Sequence, residues 1–159
     1  MSATEPKTFL ITGVSSGLGR AFAKGAIDAG HRVIGTVRRT EDAEAFAALA
    51  PNLAHPIVLD VTMYDAVPSA LSEAERRAGP IDVLVNNAGY GHEGVLEESS
   101  IADLQKQFAA NVFGPVAMIK AVLPGMRERR RGHIVNVTSM GGFITMPGIS
   151  FYCGSKFAL

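Results

Sequence analysis

Tyr152 and Lys156 are the residues of this 159-residue sequence whose types and spacing most directly suggest chemistry. They lie four positions apart at the start of a predicted helix, so both side chains are on one helix face. A phenol ionises at a pH of about 10 and is a poor base at neutral pH, but a neighbouring ammonium favours the phenolate. The pair could therefore exchange a proton with a substrate oxygen. Alone it is weak support, because most Tyr-x-x-x-Lys pairs are exposed helix residues.

Other polar residues follow predicted strands or interrupt a predicted helix. Ser139 follows a strand at its carboxyl end, where its hydroxyl could hydrogen-bond the same substrate oxygen. Asn111 lies where Gly114-Pro115 disturbs a long predicted helix, and its amide could pair with freed backbone groups or with a water. Asp60 and the segment Asn86–Gly89 also end predicted strands, which is where open α/β sheets bind their ligands.

A glycine-rich turn occupies Thr12–Gly19, between the first predicted strand and its helix. Gly13 permits a tight turn, Gly17 lets the backbone approach a pyrophosphate, and Gly19 allows close packing of helix on strand. Free N–H groups at the helix start would then meet the phosphates of a dinucleotide. The spacing is G-x-x-x-G-x-G rather than the commoner G-x-G-x-x-G, and a purely structural glycine turn is the alternative.

The end of the second predicted strand indicates which dinucleotide is bound. An acidic residue there would bind the adenosine ribose hydroxyls of NAD, but the sequence offers Arg38 and Arg39 instead. A guanidinium suits the 2′-phosphate of NADP, and Arg38 is the first choice, with Ser15 adding a hydroxyl from the glycine turn. The sequence thus favours NADP over NAD, the alternative being that both arginines are solvated surface residues.

Strands and helices alternate along the whole chain. Because strands joined by crossover helices are parallel, this alternation predicts a doubly wound α/β sheet of the Rossmann type. The apolar runs are nearly continuous, as expected for strands covered on both faces. The predicted strands are Lys7–Thr12, Arg32–Val37, Ala54–Leu59 (with a possible irregularity at Pro56), Ile81–Val85 and His133–Thr138, and the predicted helices are Leu18–Ala29, Glu41–Ala50, Asp65–Ala78, about Ile101–Arg130 and one beginning at Ser150.

Composition restricts the class of protein. Hydrophobic residues make up 47% and charged residues 19% of the chain, which is typical of a globular domain, and residues 1–159 are predicted to form a single one. Fifteen basic and fifteen acidic residues cancel, so neither nucleic acid nor a membrane surface is expected as a partner. No apolar run is expected to span a bilayer. The lone Cys153 and the polar first seven residues predict a cytoplasmic protein, and no ligand cluster suggests a metal.

Taken together, these segments resemble the short-chain dehydrogenase/reductase family over essentially the whole chain. The matching pieces are TGVSSGLG at 12–19, LDVT at 59–62, NNAG at 86–89, Asn111 in NVFG, VNVTS ending at Ser139, and YCGSK at 152–156. The resemblance implies a catalytic tetrad of Asn111, Ser139, Tyr152 and Lys156. In that family the tyrosine is the general acid/base, the serine positions the substrate oxygen, the lysine binds the nicotinamide ribose and favours the phenolate, and the asparagine holds a relay water.

The resemblance also implies the rest of the site and its reaction. Hydride would pass between nicotinamide and a small-molecule carbonyl or secondary alcohol, and the chain looks most like members acting on hydroxysteroids, retinoids or similar apolar carbonyls. Homodimers or homotetramers would assemble through the long helix and the last helix. The residues expected around the cofactor are Gly13, Ser15, Ser16, Gly17, Leu18, Gly19, Arg38, Asp60, Val61, Asn87, Ala88, Gly89, Tyr152 and Lys156.

Family members continue well beyond the tyrosine–lysine helix, whereas this sequence stops at Leu159. We therefore expect a truncated domain that lacks the C-terminal strands and the substrate-covering loop, with a sheet incomplete at that edge. Two alternatives to an active oxidoreductase stay open. An epimerase or dehydratase is disfavoured by the glycine spacing, and a non-catalytic nucleotide-binding or regulatory domain is favoured by the early stop but not by the intact tetrad.

Overall fold

The computed structural model describes residues 5–159, which form five parallel strands and the helices around them. The sheet order is β3-β2-β1-β4-β5, so the predicted doubly wound fold is confirmed. Met1–Thr4, which are most of the polar N-terminal segment used to predict a cytoplasmic protein, lie outside the described residues. The strands are β1 (Thr8–Ile11), β2 (Arg32–Val37), β3 (Ala54–Val58), β4 (Val83–Asn86) and β5 (His133–Asn136), and the helices are α1 (Gly17–Asp28), α2 (Thr40–Ala47), α3 (Val67–Ala78), α4 (Ile101–Phe108), α5 (Gly114–Glu128) and α6 (Ser150–Ala158).

Both faces of the sheet are covered, because successive side chains of a strand point to opposite faces. Leu10 of β1 packs into a cluster with residues of α3 and α5, including Leu71 and Met118. Its neighbour Ile11 packs into a second cluster with residues of α1 and α2, including Ala23 and Phe46. The near-continuous apolar runs of the strands are therefore explained by helices on both sides.

At two prolines the structure differs in detail from the prediction. The second helix ends at Ala47 rather than running to Ala50, so Pro51 lies beyond its end instead of stopping it directly. Pro56 causes no irregularity in β3 and pairs in register with Gly35. In the described part of the chain β3 is an edge strand. A proline is tolerated in an edge strand where its missing N–H would lie on the side without a neighbouring strand.

The long predicted helix is continuous from Ile101 to Glu128 but contains a π-helical turn at Ala109–Phe113. The disturbance lies just before Pro115, as predicted, because proline has no N–H to continue the ladder. By length and composition alone this 28-residue helix could cross a membrane. By that measure, the prediction that no apolar run is long enough to span a bilayer is wrong. In this structure, Met118, Val122 and Met126 place one of its faces in the core.

Gly35 and Gly25 offer a direct test of the packing between sheet and helices. A Cβ at Gly35 would lie 2.5 Å from Val14 and 2.8 Å from Phe46, whereas a Cβ at Gly25 of α1 would meet nothing within 4 Å. Gly35→Ala is expected to lower the free energy of unfolding by about 1–3 kcal/mol through overpacking. Gly25→Ala should raise it by about 0.5–1 kcal/mol through helix propensity. Urea denaturation of both variants measures this, and equal effects would contradict the packing described.

Candidate active site

One cleft of about 1070 Å³ opens at the carboxyl ends of the strands, around the position where β1 lies beside β4. At this position the chain order of the strands reverses, and open α/β sheets bind ligands there. Every residue that the sequence predicted to contact a cofactor, from Gly13 to Lys156, lines this cleft. The same lining includes further residues that the sequence did not single out, among them Thr36, Val37, Leu59, Lys106, Ala110 and Ile149.

The glycine turn has the geometry of an anion cradle. Gly13 and Gly17 have φ of +73° and +55°, a left-handed conformation that favours glycine. A Cβ at Gly19 would lie only 2.5 Å from the Asn87 amide nitrogen, so this position must stay bare. Within residues 5–159, Ser16 precedes α1 without a capping bond from its side chain. The first N–H groups of α1 are therefore available to an anion.

Thr36 of β2 holds the start of the glycine turn. The Gly13 N–H donates to the Thr36 hydroxyl at 3.0 Å, and the Val14 N–H donates to the Thr36 carbonyl at 3.0 Å. These bonds join the turn to the neighbouring strand, so the turn cannot lift away from the sheet. Sequence reasoning missed this role, and its only signal is a polar residue within the buried run Val33–Val37 of β2.

Thr12 links the glycine turn to the end of β4. Its buried hydroxyl accepts hydrogen bonds from the N–H groups of Asn87 and Ala88, both at 2.9 Å. In return, the Asn87 side-chain amide donates to the Thr12 carbonyl at 2.9 Å and to the Gly13 carbonyl at 3.3 Å. The two loops that border the cleft are thus fastened to each other across the switch in strand order.

The structure separates the two arginines after β2. The Arg39 guanidinium donates two hydrogen bonds of 2.8 Å to Asp42 in the first turn of α2, and this bonding holds the pKa of the Asp42 carboxyl below its ordinary value. Arg38 is exposed and lines the cleft. The geometry therefore leaves Arg38, the first choice of the sequence analysis, as the arginine that faces the cleft.

The strand-end residues Asp60 and Val61 shape the next part of the cleft wall. The Asp60 carboxylate accepts from the N–H and the hydroxyl of Thr62, at 2.9 and 2.8 Å, which closes a turn after β3. Val61 packs against Gly114 of α5, where an added Cβ would approach the Val61 side chain to 3.0 Å. The long helix is consequently seated directly against this wall.

Tyr152 and Lys156 face the cleft from the first turns of α6. The Tyr152 ring lies between two glycines, since a Cβ at Gly141 would be 3.3 Å from it and a Cβ at Gly91 would be 3.6 Å from it. The Lys156 ammonium lies 5.9 Å from the ring centroid and donates to the Val137 carbonyl at 2.8 Å. Burial lowers the pKa of Lys156 below its ordinary value.

Ser139 and Asn111 lie beside the cleft, just outside the residues that line it. The Ser139 hydroxyl accepts from the Gly141 N–H at 3.2 Å and so caps the short turn that leads toward α6. Asn111 is buried in the π-helical turn, where its amide bonds to both backbone groups of Tyr90 and donates to the Ser155 hydroxyl at 3.0 Å. Its partners are thus another loop and α6, not the freed groups of its own helix.

Three other potentially reactive side chains, those of His92, Glu93 and Cys153, lie near Tyr152. The His92 ring lies 2.9 Å from the Ser99 hydroxyl and stacks on Phe151, while Glu93 lines the cleft. Cys153 is buried. Among residues 5–159, no group of three His, Cys, Asp or Glu side chains is arranged to hold a metal ion.

Comparison with known proteins identifies the family. Residues 7–159 match the family profile described as short chain dehydrogenase, and the chain belongs to that family. Human retinol dehydrogenase 8 is 44% identical over 171 aligned residues, covering 99% of this chain and 52% of the human protein. The chain spans about half the length of the curated relatives that it matches.

Solved structures agree with this assignment. A short-chain dehydrogenase from Streptomyces avermitilis is 44% identical with a TM-score of 0.92, covering 97% of this chain and 57% of that one. A short-chain dehydrogenase/reductase from Burkholderia phymatum in complex with NAD is 31% identical with a TM-score of 0.89, covering 99% of this chain and 58% of that one. The resemblance drawn from the sequence motifs is confirmed.

Thr12→Val tests the link between the two loops of the cleft. The substitution keeps the shape of the side chain but leaves the Asn87 and Ala88 N–H groups without their acceptor. Loss of the acceptor should lower the free energy of unfolding by about 1–3 kcal/mol, because buried donors are left unpaired. Thr12→Ser keeps the hydroxyl and should recover most of the stability. If the two variants prove equally stable in urea, the hydroxyl does not carry the link.

Lys156 is expected to make stability depend on alkaline pH. Burial lowers its pKa below the ordinary value of 10.5, so the folded chain releases this proton at a lower pH than the unfolded chain does. Between the two pKa values the unfolded state binds more protons, and stability therefore rises with pH in that window. The unfolding free energy of the wild type minus that of Lys156→Met should increase as pH approaches 10.5. A difference that falls over this range would contradict the buried ammonium.

Proposed function

We propose that this chain forms the cofactor-binding and catalytic part of an NADP(H)-dependent oxidoreductase. The reaction is hydride transfer between nicotinamide and a carbonyl or secondary alcohol, with Tyr152 as the general acid/base. One observation carries the proposal: an open glycine cradle with an uncapped helix start shares a single cleft with the Tyr152–Lys156 pair. A phosphate-binding turn alone would support only the binding of a dinucleotide. The Tyr152–Lys156 pair in the same cleft supports catalysis as well.

The residues present fit a dinucleotide. Glycine at positions 13, 17 and 19 leaves the space that a pyrophosphate requires, and the N–H groups at the start of α1 suit its negative charge. Asp60, Val61 and the Asn87–Gly89 segment form the adenosine side of the cleft, and Lys156 stands at its nicotinamide end. When bound, the nicotinamide supplies or accepts the hydride, which no protein side chain can do.

The proton chemistry falls to residues of the chain. Tyr152 donates a proton to a carbonyl oxygen as it becomes an alcohol, and removes it in the reverse direction. The Lys156 ammonium, 5.9 Å from the phenol ring centroid, binds the nicotinamide ribose. Ser139, beside the turn that flanks the ring, supplies a hydroxyl for the same substrate oxygen. Asn111 anchors the loop on the opposite side of Tyr152.

Preference for NADP over NAD rests on Arg38. Its guanidinium faces the cleft while Asp42 engages Arg39, and neither of the two residues between β2 and α2 has a carboxylate to bind ribose hydroxyls. A planar guanidinium with several donors matches a 2′-phosphate. The Burkholderia phymatum relative was solved with NAD, so the preference is proposed for this chain from its own residues.

The substrate class is proposed to be an apolar carbonyl or alcohol. On the Tyr152 side the cleft is lined by Tyr90, Gly91, Ala110 and Ile149, with Glu93 and Lys106 among the few charged groups. Human retinol dehydrogenase 8 is named for an apolar alcohol, which agrees with this lining. Exposed apolar side chains on the long helix, such as Phe113 and Val116, support assembly of the whole protein as a homodimer or homotetramer through that helix.

Arg38→Ala tests the cofactor preference. Loss of the guanidinium should weaken NADPH binding by about tenfold to a hundredfold, the range for a hydrogen bond to a charged group, and should leave NADH binding almost unchanged. Fluorescence titration of the purified chain with each cofactor measures both constants. Arg39→Ala is the matched control, because Asp42 already engages that side chain, and it should keep the NADPH preference.

Two outcomes would overturn the proposal at different levels. Equal loss of NADPH affinity in both arginine variants would contradict the assignment of the 2′-phosphate to Arg38. Failure of the wild-type chain to bind either cofactor would contradict the whole binding site in this 159-residue chain.

A further inference from the structure

Gln107 is a fully buried polar side chain on α4 that the proposed mechanism does not use. Its amide nitrogen donates to the Tyr90 carbonyl, and its amide oxygen accepts from the His92 N–H at 2.7 Å. Both partners are backbone groups of the loop that follows β4. Burying an amide is unfavourable unless both of its ends are bonded, so this position favours glutamine only while the loop is docked there.

Asn111 holds the same loop from one helical turn further along. Its amide accepts from the Tyr90 N–H at 3.1 Å and donates to the Tyr90 carbonyl at 2.9 Å. The π-helical turn at Ala109–Phe113 widens the helix there, and both amides face the loop. Together they bond three backbone groups of the segment Tyr90–His92, as a neighbouring strand would.

The segment Tyr90–His92 in turn contacts the start of α6. Gly91 lies against the Tyr152 ring, with its position for a Cβ 3.6 Å from the nearest ring atom. The His92 ring stacks on Phe151, the residue before Tyr152, with ring centroids 5.3 Å apart. A substitution that frees the segment therefore frees one wall of the Tyr152 ring and the support of its neighbour.

We propose that Gln107 is a positioning residue that sets the orientation of Tyr152 through the segment Tyr90–His92. The relevance of this orientation to catalysis rests on the proposed function, but the positioning itself is a property of the fold. An apolar side chain of equal size would fill the same space without holding the loop. The amide is therefore required for the position of the segment and not for the packing of α4.

Gln107→Met separates these two roles, because methionine has a similar volume and makes neither hydrogen bond. The chain has three tyrosines, so ring-labelled tyrosine gives an NMR spectrum that single Tyr→Phe changes can assign. The Tyr152 ring resonance should shift in Gln107→Met by more than that of Tyr64, whose hydroxyl donates to the Ala109 carbonyl of the same long helix. The His92 N–H should exchange with solvent about tenfold faster, the factor expected for one lost hydrogen bond. Gln105→Met, on an exposed position of the same helix, should change neither signal.

Gln107→Glu keeps the test decisive if the methionine variant does not fold. A protonated carboxyl can donate to the Tyr90 carbonyl and accept from the His92 N–H, whereas the ionised form repels that carbonyl. The Tyr152 ring signal should therefore return toward its wild-type position as pH falls from about 8 to about 5, near the ionisation range of a buried carboxyl. Unchanged Tyr152 and His92 signals in a folded methionine variant, or a pH-independent wild-type signal in the glutamate variant, would overturn the proposal. Neither measurement needs a cofactor, so both still test the positioning role of Gln107 if the proposed oxidoreductase function is wrong.

Discussion

The hydrogen bonds between Thr12 and the Asn87–Ala88 segment are the interaction on which the rest of the site depends. β1 and β4 are neighbours in the sheet, and the chain leaves their carboxyl ends in different directions, which opens the cleft. The Thr12 hydroxyl accepts from both N–H groups at 2.9 Å and fixes how close the two loops approach. With the two loops this close together, only glycine fits at positions 13 and 19. The backbone of the turn therefore carries no side chain at these positions, and the start of α1 faces the cleft.

A second constraint acts at the other end of the cleft, where α6 carries Tyr152 and Lys156. The two glycines that flank the ring let it approach the loops after β4 and β5 closely. The Lys156 ammonium reaches the Val137 carbonyl just beyond β5, which ties the helix to the sheet and places a positive charge in a buried position. Burial of that charge lowers the pKa of Lys156, because the surroundings of the side chain disfavour the charged ammonium.

Much of this arrangement could be predicted from the sequence because it depends on local patterns. The alternation of apolar runs and helices gave the parallel sheet, and parallel strands bring their carboxyl ends to one edge whatever the loops do. That is why residues as distant as Gly13, Asp60 and Lys156 could be assigned to one cleft. The roles of Thr12, Thr36 and Gln107 could not be predicted, since each bonds to backbone groups of another segment and backbone groups have no sequence signature. The high mean hydropathy of the long helix was also missed, because polar residues interrupt its apolar run without lowering the mean by much.

The central claim is that the cleft between the glycine turn and α6 binds a nicotinamide dinucleotide in a fixed orientation. Backbone amide NMR of the isotope-labelled chain during titration with NADP⁺ tests it most directly. The largest shifts are expected at Gly13–Gly19, at Arg38 and at Asn87–Gly89, with smaller shifts near Lys156. Almost none are expected around Gly79 and Arg130, at the amino ends of β4 and β5. Shifts concentrated away from the glycine turn, or none at saturating cofactor, would contradict it.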